Sequence, residues 1–564
     1  MMDLSSLNKL LDNSCSTYQT FAKRFASGEV QIRKLITTQG YEGVLPILEG
    51  KVANSDTPLL AEGFQMLSLT GGTFGNIKNI GRCPDDKAPY SKEERNDYKV
   101  AYNVLVFFSD GTYKLIGFTS CHHYTGVFQI YPDGYLKVLL DLEGAKFACG
   151  DVLESEYLVM LENKSKVALL DDFAKLINTH HPRLKFNKAP VGWCSWYWYY
   201  FWVKEQDILD NMNVMDEDDA LEYVQIDDGY QTHMGDWLSF TDKFPSGFEQ
   251  VIQAIHDNGK KPALWVAPFI VSENSVIFKY HRDWLCTDKS GYVVPASNLS
   301  YEGWRDLKWY VLDFSKQEVR DYIQDVFLYF HNRLGINYFK LDACYWGAIK
   351  GLHFNKANFS RIDNYRVGLE TILEVVGNNS FILGCNAAMW PSLGLVHGMR
   401  VGDDIERRVN RFKLVADECF NRLWMNNKLW INDPDCLCVH DHKEADQCCS
   451  KDEYLFHIAF IMLTSGVLML GDSLIELTDD EKSQIKKVLE VQKCDKEVFY
   501  NDDFTHFILK NKNTDEELQI FLNYESSLKE VSLDFKAQDF MTGHTLADKY
   551  VIKSNSALIA KVLK

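Results

Sequence analysis

Apolar and polar positions along the 564-residue chain fall into three zones. Across residues 1–185 they alternate with a period of two between turn residues, the pattern of half-buried strands. Residues 98–120, YKVAYNVLVFFSDGTYKLIGFTS, read as a strand, a Ser109-Asp110-Gly111 turn and a second strand, and YPDGYLKVLLDL continues the pattern. This zone predicts an N-terminal β-sandwich, followed by a short helix starting at Asp171 and by Pro182 and Pro190. From 186 to 490 the pattern becomes short apolar runs at 190–197, 223–230, 261–269, 338–344, 381–387, 397–405, 428–437 and 466–472. Two of the stretches between them, 244–261 and 317–335, have helical spacing, the first with Gly259 as its C-terminal stop. Eight strand–helix units of this size predict an α/β fold, a (β/α)8 TIM barrel. Residues 270–337 hold an insertion after the third strand with Trp284, Trp304 and Trp309, expected to wall the barrel mouth. From 491 to 564 alternation returns and predicts a small C-terminal β-sandwich. The most apolar stretch, Tyr454–Leu470, contains His457 and is broken by Thr464-Ser465-Gly466, so it reads as a buried helix and then a strand, not a membrane span.

Composition narrows the partners. The net charge of −19 repels phosphate, which argues against nucleic acid and leaves a neutral small molecule or a protein. The 13% aromatic content suits ring stacking on sugars as well as a β-rich core. The first residues, MMDLSSLNKLLDNSCSTYQ, lack a basic start and a long apolar run, so no signal peptide is expected. Fourteen cysteines in a chain of this length make no dense disulfide framework, and reduced thiols in a cytoplasmic protein are the expectation.

In a barrel of this kind the chemistry sits at the C-terminal ends of the strands. Those ends carry Trp196, Asp227 and Asp228, Trp265, Lys340 and Asp342, Cys385 and Asn386, Asp403 and Asp404, and Asp433 and Asp435. Carboxylates from at least four strands converge on one rim, which raises their proton affinity unless a cation offsets them; Lys340 and Arg400 are placed to do so. No nucleotide-binding glycine fingerprint stands out. Cys438, His440, His442, Cys448 and Cys449 are too irregularly spaced for a zinc site, and His122-His123 and His180-His181 read as ordinary surface or core histidines, so no metal is expected. The acidic run Asp216-Glu217-Asp218-Asp219 reads as a solvated loop.

Seven motifs, GWCSW (192–196), IDDGY (226–230), GDW (235–237), KFPSG (243–247), KLDAC (340–344), RVGDD (400–404) and NDPD (432–435), occur in the order found in the α-galactosidase clan. The chain resembles glycoside hydrolase family 36, including its raffinose-synthase-like branch, over the central barrel. The resemblance implies a retaining, exo-acting α-galactosidase that works by double displacement through a covalent glycosyl-aspartate, with no cofactor. It implies Asp342 as nucleophile and Asp404 as acid/base, with carboxyls about 5–5.5 Å apart. Lys340 would help keep Asp342 ionised, and Asp403 and the enclosed site would raise the proton affinity of Asp404. Only one of Asp403 and Asp404 should face the site, because successive strand residues point opposite ways. Asp227 and Asp228 resemble the clan's pair for two ring hydroxyls. Lys340 would also reach the sugar, Trp196, Trp265 and Trp346 would stack on it, and Cys385-Asn386 would contact its 2-substituent. Asp433 and Asp435 are expected to be structural, ordering the seventh strand near Arg400, itself named among the substrate-binding residues.

The sequence departs from the family at Leu264-Trp265-Val266-Ala267-Pro268-Phe269, where many members carry Glu-Pro-Glu, and at GCNAAMW (384–390), which replaces a Gly-rich cysteine loop. Both touch substrate pockets and leave the sugar and aglycone open. The alternatives are an α-galactosyl transglycosylase, an α-N-acetylgalactosaminidase and a non-catalytic carbohydrate-binding relative. The expected partner is an oligosaccharide or glycoconjugate, not nucleic acid or membrane, and the resemblance makes a homo-oligomer plausible.

Overall fold

The computed structural model describes residues 2–3, 28–92, 97–215, 221–444, 446–464 and 466–563. Most of the N-terminal segment read for a leader, and the acidic run 216–219, lie outside the described residues.

The middle of the chain forms eight parallel strands, numbered here as barrel strands: β1 (Val191–Cys194), β2 (Tyr223–Ile226), β3 (Lys261–Val266), β4 (Tyr338–Leu341), β5 (Phe381–Gly384), β6 (Gly398–Arg400), β7 (Ile431–Asp433) and β8 (Leu468–Leu470). Apart from Lys261 every residue in them is buried, which is why the sequence shows continuous apolar runs here and not alternation. The hydrogen-bonded order is β7-β6-β5-β4-β3-β2-β1-β8. Among the described residues no continuous ladder joins β7 to β8. The seam is closed by the Val467 amide on the Asn432 carbonyl (2.9 Å) and by the chain beyond β7, where Leu437 donates to Met469 (2.8 Å) and accepts from Gly471 (2.9 Å). A Cβ at Gly466 would lie 1.7 Å from the Asn432 carbonyl oxygen, so only glycine fits there.

Among the described residues three sheets precede the barrel, a small one of Met2–Asp3, Ile32–Leu35 and Val152–Glu154 and two larger ones. One pairs Val44–Lys51, Tyr135–Asp141, Thr125–Ile130 and Lys99–Tyr102; the other pairs Leu158–Asn163, Thr112–Phe118, Val104–Ser109, Leu59–Glu62, Leu69–Thr73 and Asn76–Asn79. Ile47, Phe107, Ile116, Phe128 and Val138 belong to the buried core they share. The single strand read from residue 98 is broken at Asn103 (φ 60°), and its halves join different sheets. Buried Asn103 ties the corner by accepting from Thr125 Oγ1 (3.0 Å) and the Gly126 amide (2.9 Å). The following helix runs Lys166–His180, starting before Asp171 because the Ser165 side chain caps it, accepting from the Ala168 amide at 3.3 Å.

The apolar stretch after residue 450 is a buried helix, Lys451–Thr464, that leads into β8, as read. No described helix is long and apolar enough to cross a membrane. Beyond helix Asp479–Gln492 a five-stranded and a two-stranded sheet enclose Leu533, Ala537, Ile552, Leu558 and Ala560.

The first β layer is bonded to the barrel through buried polar groups. Arg422 reaches Glu62 (Nε 3.0 Å) and the carbonyls of Met66 (2.6 Å) and Ser68 (2.7 Å). Arg361 pairs with Asp141 at 2.8 Å, and Trp390 donates to the Phe118 carbonyl at 2.7 Å.

Candidate active site

Most of the expected residues lie at or just beyond the C-terminal ends of the barrel strands. Asp342 directly follows β4 and is buried. Its Oδ2 accepts from Trp265 Nε1 (2.9 Å), and its Oδ1 accepts from Asn386 Nδ2 (2.8 Å) and the Ala343 amide (2.6 Å). Three donors from β3, β5 and the β4 turn therefore fix both oxygens. Asn386 is shaped for this by a left-handed backbone (φ 39°), which asparagine tolerates.

Lys340 places Nζ 3.0 Å from Asp227 Oδ2 and forms no ion pair with Asp342. Burial pushes the Asp227 carboxyl up, against the opposing pull of Lys340. Gln225 (2.8 Å) and the Cys194 thiol (3.5 Å) donate to the same oxygen. Asp228 is held from the insertion. Its Oδ2 accepts from Arg305 Nε (2.8 Å) and Trp304 Nε1 (3.2 Å), and its Oδ1 accepts from Gln231 Nε2 (2.8 Å) and Arg305 Nη2. Gly229 turns the chain after this pair with φ 131°, close against Phe201. The insertion thus does wall the mouth, through Trp304 and also through Arg305.

After β6 the two adjacent aspartates divide. The Asp403 side chain is 1% exposed and pairs with Arg82 Nε (2.8 Å) and with Arg411. The Asp404 side chain is 47% exposed and pairs with Arg400 Nη2 at 2.7 Å. The same Nη2 reaches Asp435 Oδ2 (2.7 Å), which also takes the Ile405 amide (2.7 Å) and the Tyr197 hydroxyl. Asp435 therefore aims Arg400, in keeping with a structural NDPD. Arg400 Nη1 also lies 3.6 Å from the Cys385 sulfur, and Cys385 precedes the Asn386 that holds Asp342, so one bonded chain links the two carboxyls.

The proton affinities differ from the sequence expectation. Asp403 is pushed up to about 6, by burial first and then by the Asp404 charge. Asp404 is lowered, because Arg400 and Lys340 outweigh the opposing effect of burial. The raised group is thus the buried neighbour. Adjacent carboxyls titrate as a pair, and here Asp403 is the member pushed up and Asp404 the member lowered.

The tryptophans separate. Trp196 is half-buried and meets Tyr200 edge-on at 5.4 Å. Trp265 is 1% exposed; its N–H serves Asp342 while its ring packs on Trp237 and Trp304. Trp346 is 2% exposed among Tyr301, Trp304, Trp309 and Tyr345, so the stacking expected of it has no open ring face. Cys385 is buried and its thiol is pushed up by burial. Residues missed from the sequence are Arg305, Gln231, Arg82 and Arg411. Gln231 is five residues past β2, and the others sit off the strand ends, where the barrel rule gives no signal. No group of three or more described His, Cys, Asp or Glu residues is arranged to hold a metal. Cys438 takes part in a backbone bond to His457, His440 pairs with Glu481 and His442 meets the Trp198 carbonyl.

Fold and site together show an eight-stranded parallel barrel with carboxyl groups at its strand ends, where enzymes of this fold place their chemistry. Residues 156–369 match the Melibiase family. The chain is 28% identical over 199 residues to alpha-galactosidase Mel36A of Lactobacillus acidophilus, a match covering 33% of this chain and 25% of that protein. It is 30% identical over 106 residues to the A type blood alpha-D-galactosamine galactosaminidase of Flavonifractor plautii, covering 18% of this chain and 10% of that one. The match thus spans about a quarter of the first relative's length. In fold it is similar to the alpha-galactosidase TtGalA of Thermus thermophilus (TM-score 0.63, 21% identity, 85% of this chain and 98% of the other) and to AgaA of Geobacillus stearothermophilus (TM-score 0.62, 14% identity, 92% and 76%). The chain resembles α-galactosidases in sequence over residues 156–369, which reach the fourth barrel strand, and in fold over most of its length.

Proposed function

We propose that this protein is a retaining α-galactosidase acting on terminal α-galactosides, with Asp342 as nucleophile and Asp404 as acid/base. The observation that carries the reading is the contrast between these two carboxyls. Asp342 is fixed at both oxygens by neutral donors, Trp265, Asn386 and the Ala343 amide. Asp404 is half exposed and carries one cation, Arg400. In the reaction Asp342 attacks the anomeric carbon while a protonated Asp404 hands its proton to the departing oxygen; Asp404 then takes a proton from water, which releases the sugar. Asp227, with Lys340 beside it, and Asp228 would receive ring hydroxyls. Asn386, adjacent to Cys385, faces the 2-position in this reading, and Trp196 offers the ring surface that Trp346 lacks. The relatives named α-galactosidases support galactose as the sugar. The Flavonifractor relative keeps an N-acetylgalactosaminide or galactosaminide as the second reading.

A panel of aryl α-glycosides (galactoside, N-acetylgalactosaminide, glucoside) assayed with the wild type and Asp342→Ala tests this. Galactoside should be cleaved fastest, with the anomeric configuration retained by NMR, and Asp342→Ala should lose turnover. Unchanged turnover in that variant would remove Asp342 from the mechanism. Product analysis at high acceptor sugar distinguishes hydrolysis from transfer.

A further inference from the structure

The segment after one strand of the first β layer sends one side chain to Asp403, the neighbour of Asp404. Arg82 follows strand Asn76–Asn79, and its backbone amide is anchored on Glu418 Oε1 (3.3 Å) while its Nε lies 2.8 Å from Asp403 Oδ2. Asp403 Oδ1 in turn accepts from the Asp404 amide at 2.7 Å, and its own amide donates to Glu418 Oε2 at 2.6 Å. Glu418 lies on helix Val409–Asn421. Arg82 keeps 42% of its side chain exposed, so it is not a packing element of the core. Resting on the assignment of Asp404 as acid/base, we propose that Arg82 is a positioning residue that clamps Asp403 and thereby governs the proton available to Asp404 from outside the barrel.

The other groups facing the pair are Arg411, Glu406 and Glu418 from the segment after β6, Arg400 from β6 itself, Asp435 beyond β7, Lys340 from β4, Cys385 from β5 and Tyr197 beyond β1. Cys83 and Tyr90 lie beside Arg82 on its own segment. Arg411 also pairs with Asp403, but it shares its guanidinium with Glu406; Arg82 pairs with Asp403 alone among the described carboxylates. Burial opposes the Arg82 charge, and Asp403 and Asp404 hold it on regardless. Removing this cation leaves the paired carboxyls with less opposing charge, so their proton is held to higher pH.

The test compares wild type, Arg82→Met and Arg82→Lys. On a phenyl α-galactoside, whose poor leaving group needs the acid, the alkaline limb of kcat/KM should move up by about one pH unit or more in Arg82→Met. Arg82→Lys should hold it near the wild-type position. A limb that stays put in Arg82→Met, or moves equally in Arg82→Lys, overturns the proposal. A second readout needs no activity: the Tm gap between wild type and Arg82→Met should be small below pH 5 and open as pH rises through about 6, where Asp403 ionises. A gap that does not change with pH would also overturn it. If the wild type cleaves no α-glycoside, the parent reading fails, and the Tm comparison still decides whether Arg82 is coupled to Asp403.

Discussion

The indole N–H of Trp265 is a donor to Asp342 that a phenyl ring cannot replace. A hydrogen bond to a charged group is worth about 1.5–3 kcal/mol, so Trp265→Phe should lower kcat/KM about ten- to a hundredfold, read by steady-state kinetics, with little change in fold. At Asp404, removing the carboxyl should cost about 10²–10⁴-fold on a phenyl galactoside and much less on a dinitrophenyl galactoside, which departs without a proton. Equal losses on both would take the acid role from Asp404. The Asp403–Asp404 pair also sets the pH response. If the proton that Asp403 keeps up to about pH 6 is the one Asp404 passes to the substrate, wild-type kcat/KM should fall above that pH. Part of this scale was legible in the sequence: KLDAC and RVGDD place Asp342 and Asp404 just beyond the ends of β4 and β6, and one of Asp403 and Asp404 does turn away, though both lie past the strand, so strand alternation is not the reason. The shifted proton affinities were not legible, because the rise at Asp403 comes first from its burial, which no motif announces, and is only partly offset by Arg82 and Arg411.

At the scale of elements, periodicity found the barrel strands because all eight are buried on both faces, and it found the insertion by its tryptophans. It missed the corner at Asn103, since the residues on either side continue one alternation while a single left-handed residue sends them into separate sheets. It also placed the first helix late, because Ser165 supplies the start rather than an apolar stripe. The Arg422–Glu62 clasp is the element contact with the largest expected effect. Removing one partner of a buried ion pair costs about 3–5 kcal/mol, so Arg422→Met should lower the denaturation midpoint strongly. Adding Glu62→Gln should restore part of the loss, since it removes the stranded charge. A double variant no more stable than the single would show that packing, not charge, is what Arg422 supplies.

For the whole molecule, the first β layer and the barrel share buried charges, so a fragment beginning at residue 186 should fail to fold, giving no cooperative thermal transition. One further feature links the parts to ligand binding. Both oxygens of Asp228 already carry two donors each, three of the four from the 304–305 segment. A hydroxyl reaching this carboxylate would have to displace one of these four donors, either Gln231 or one from the 304–305 segment. Where the donor exchanged is Trp304, its emission gauges occupancy: titration with galactose should then change it with the same midpoint as inhibition, and Trp304→Phe should abolish the signal.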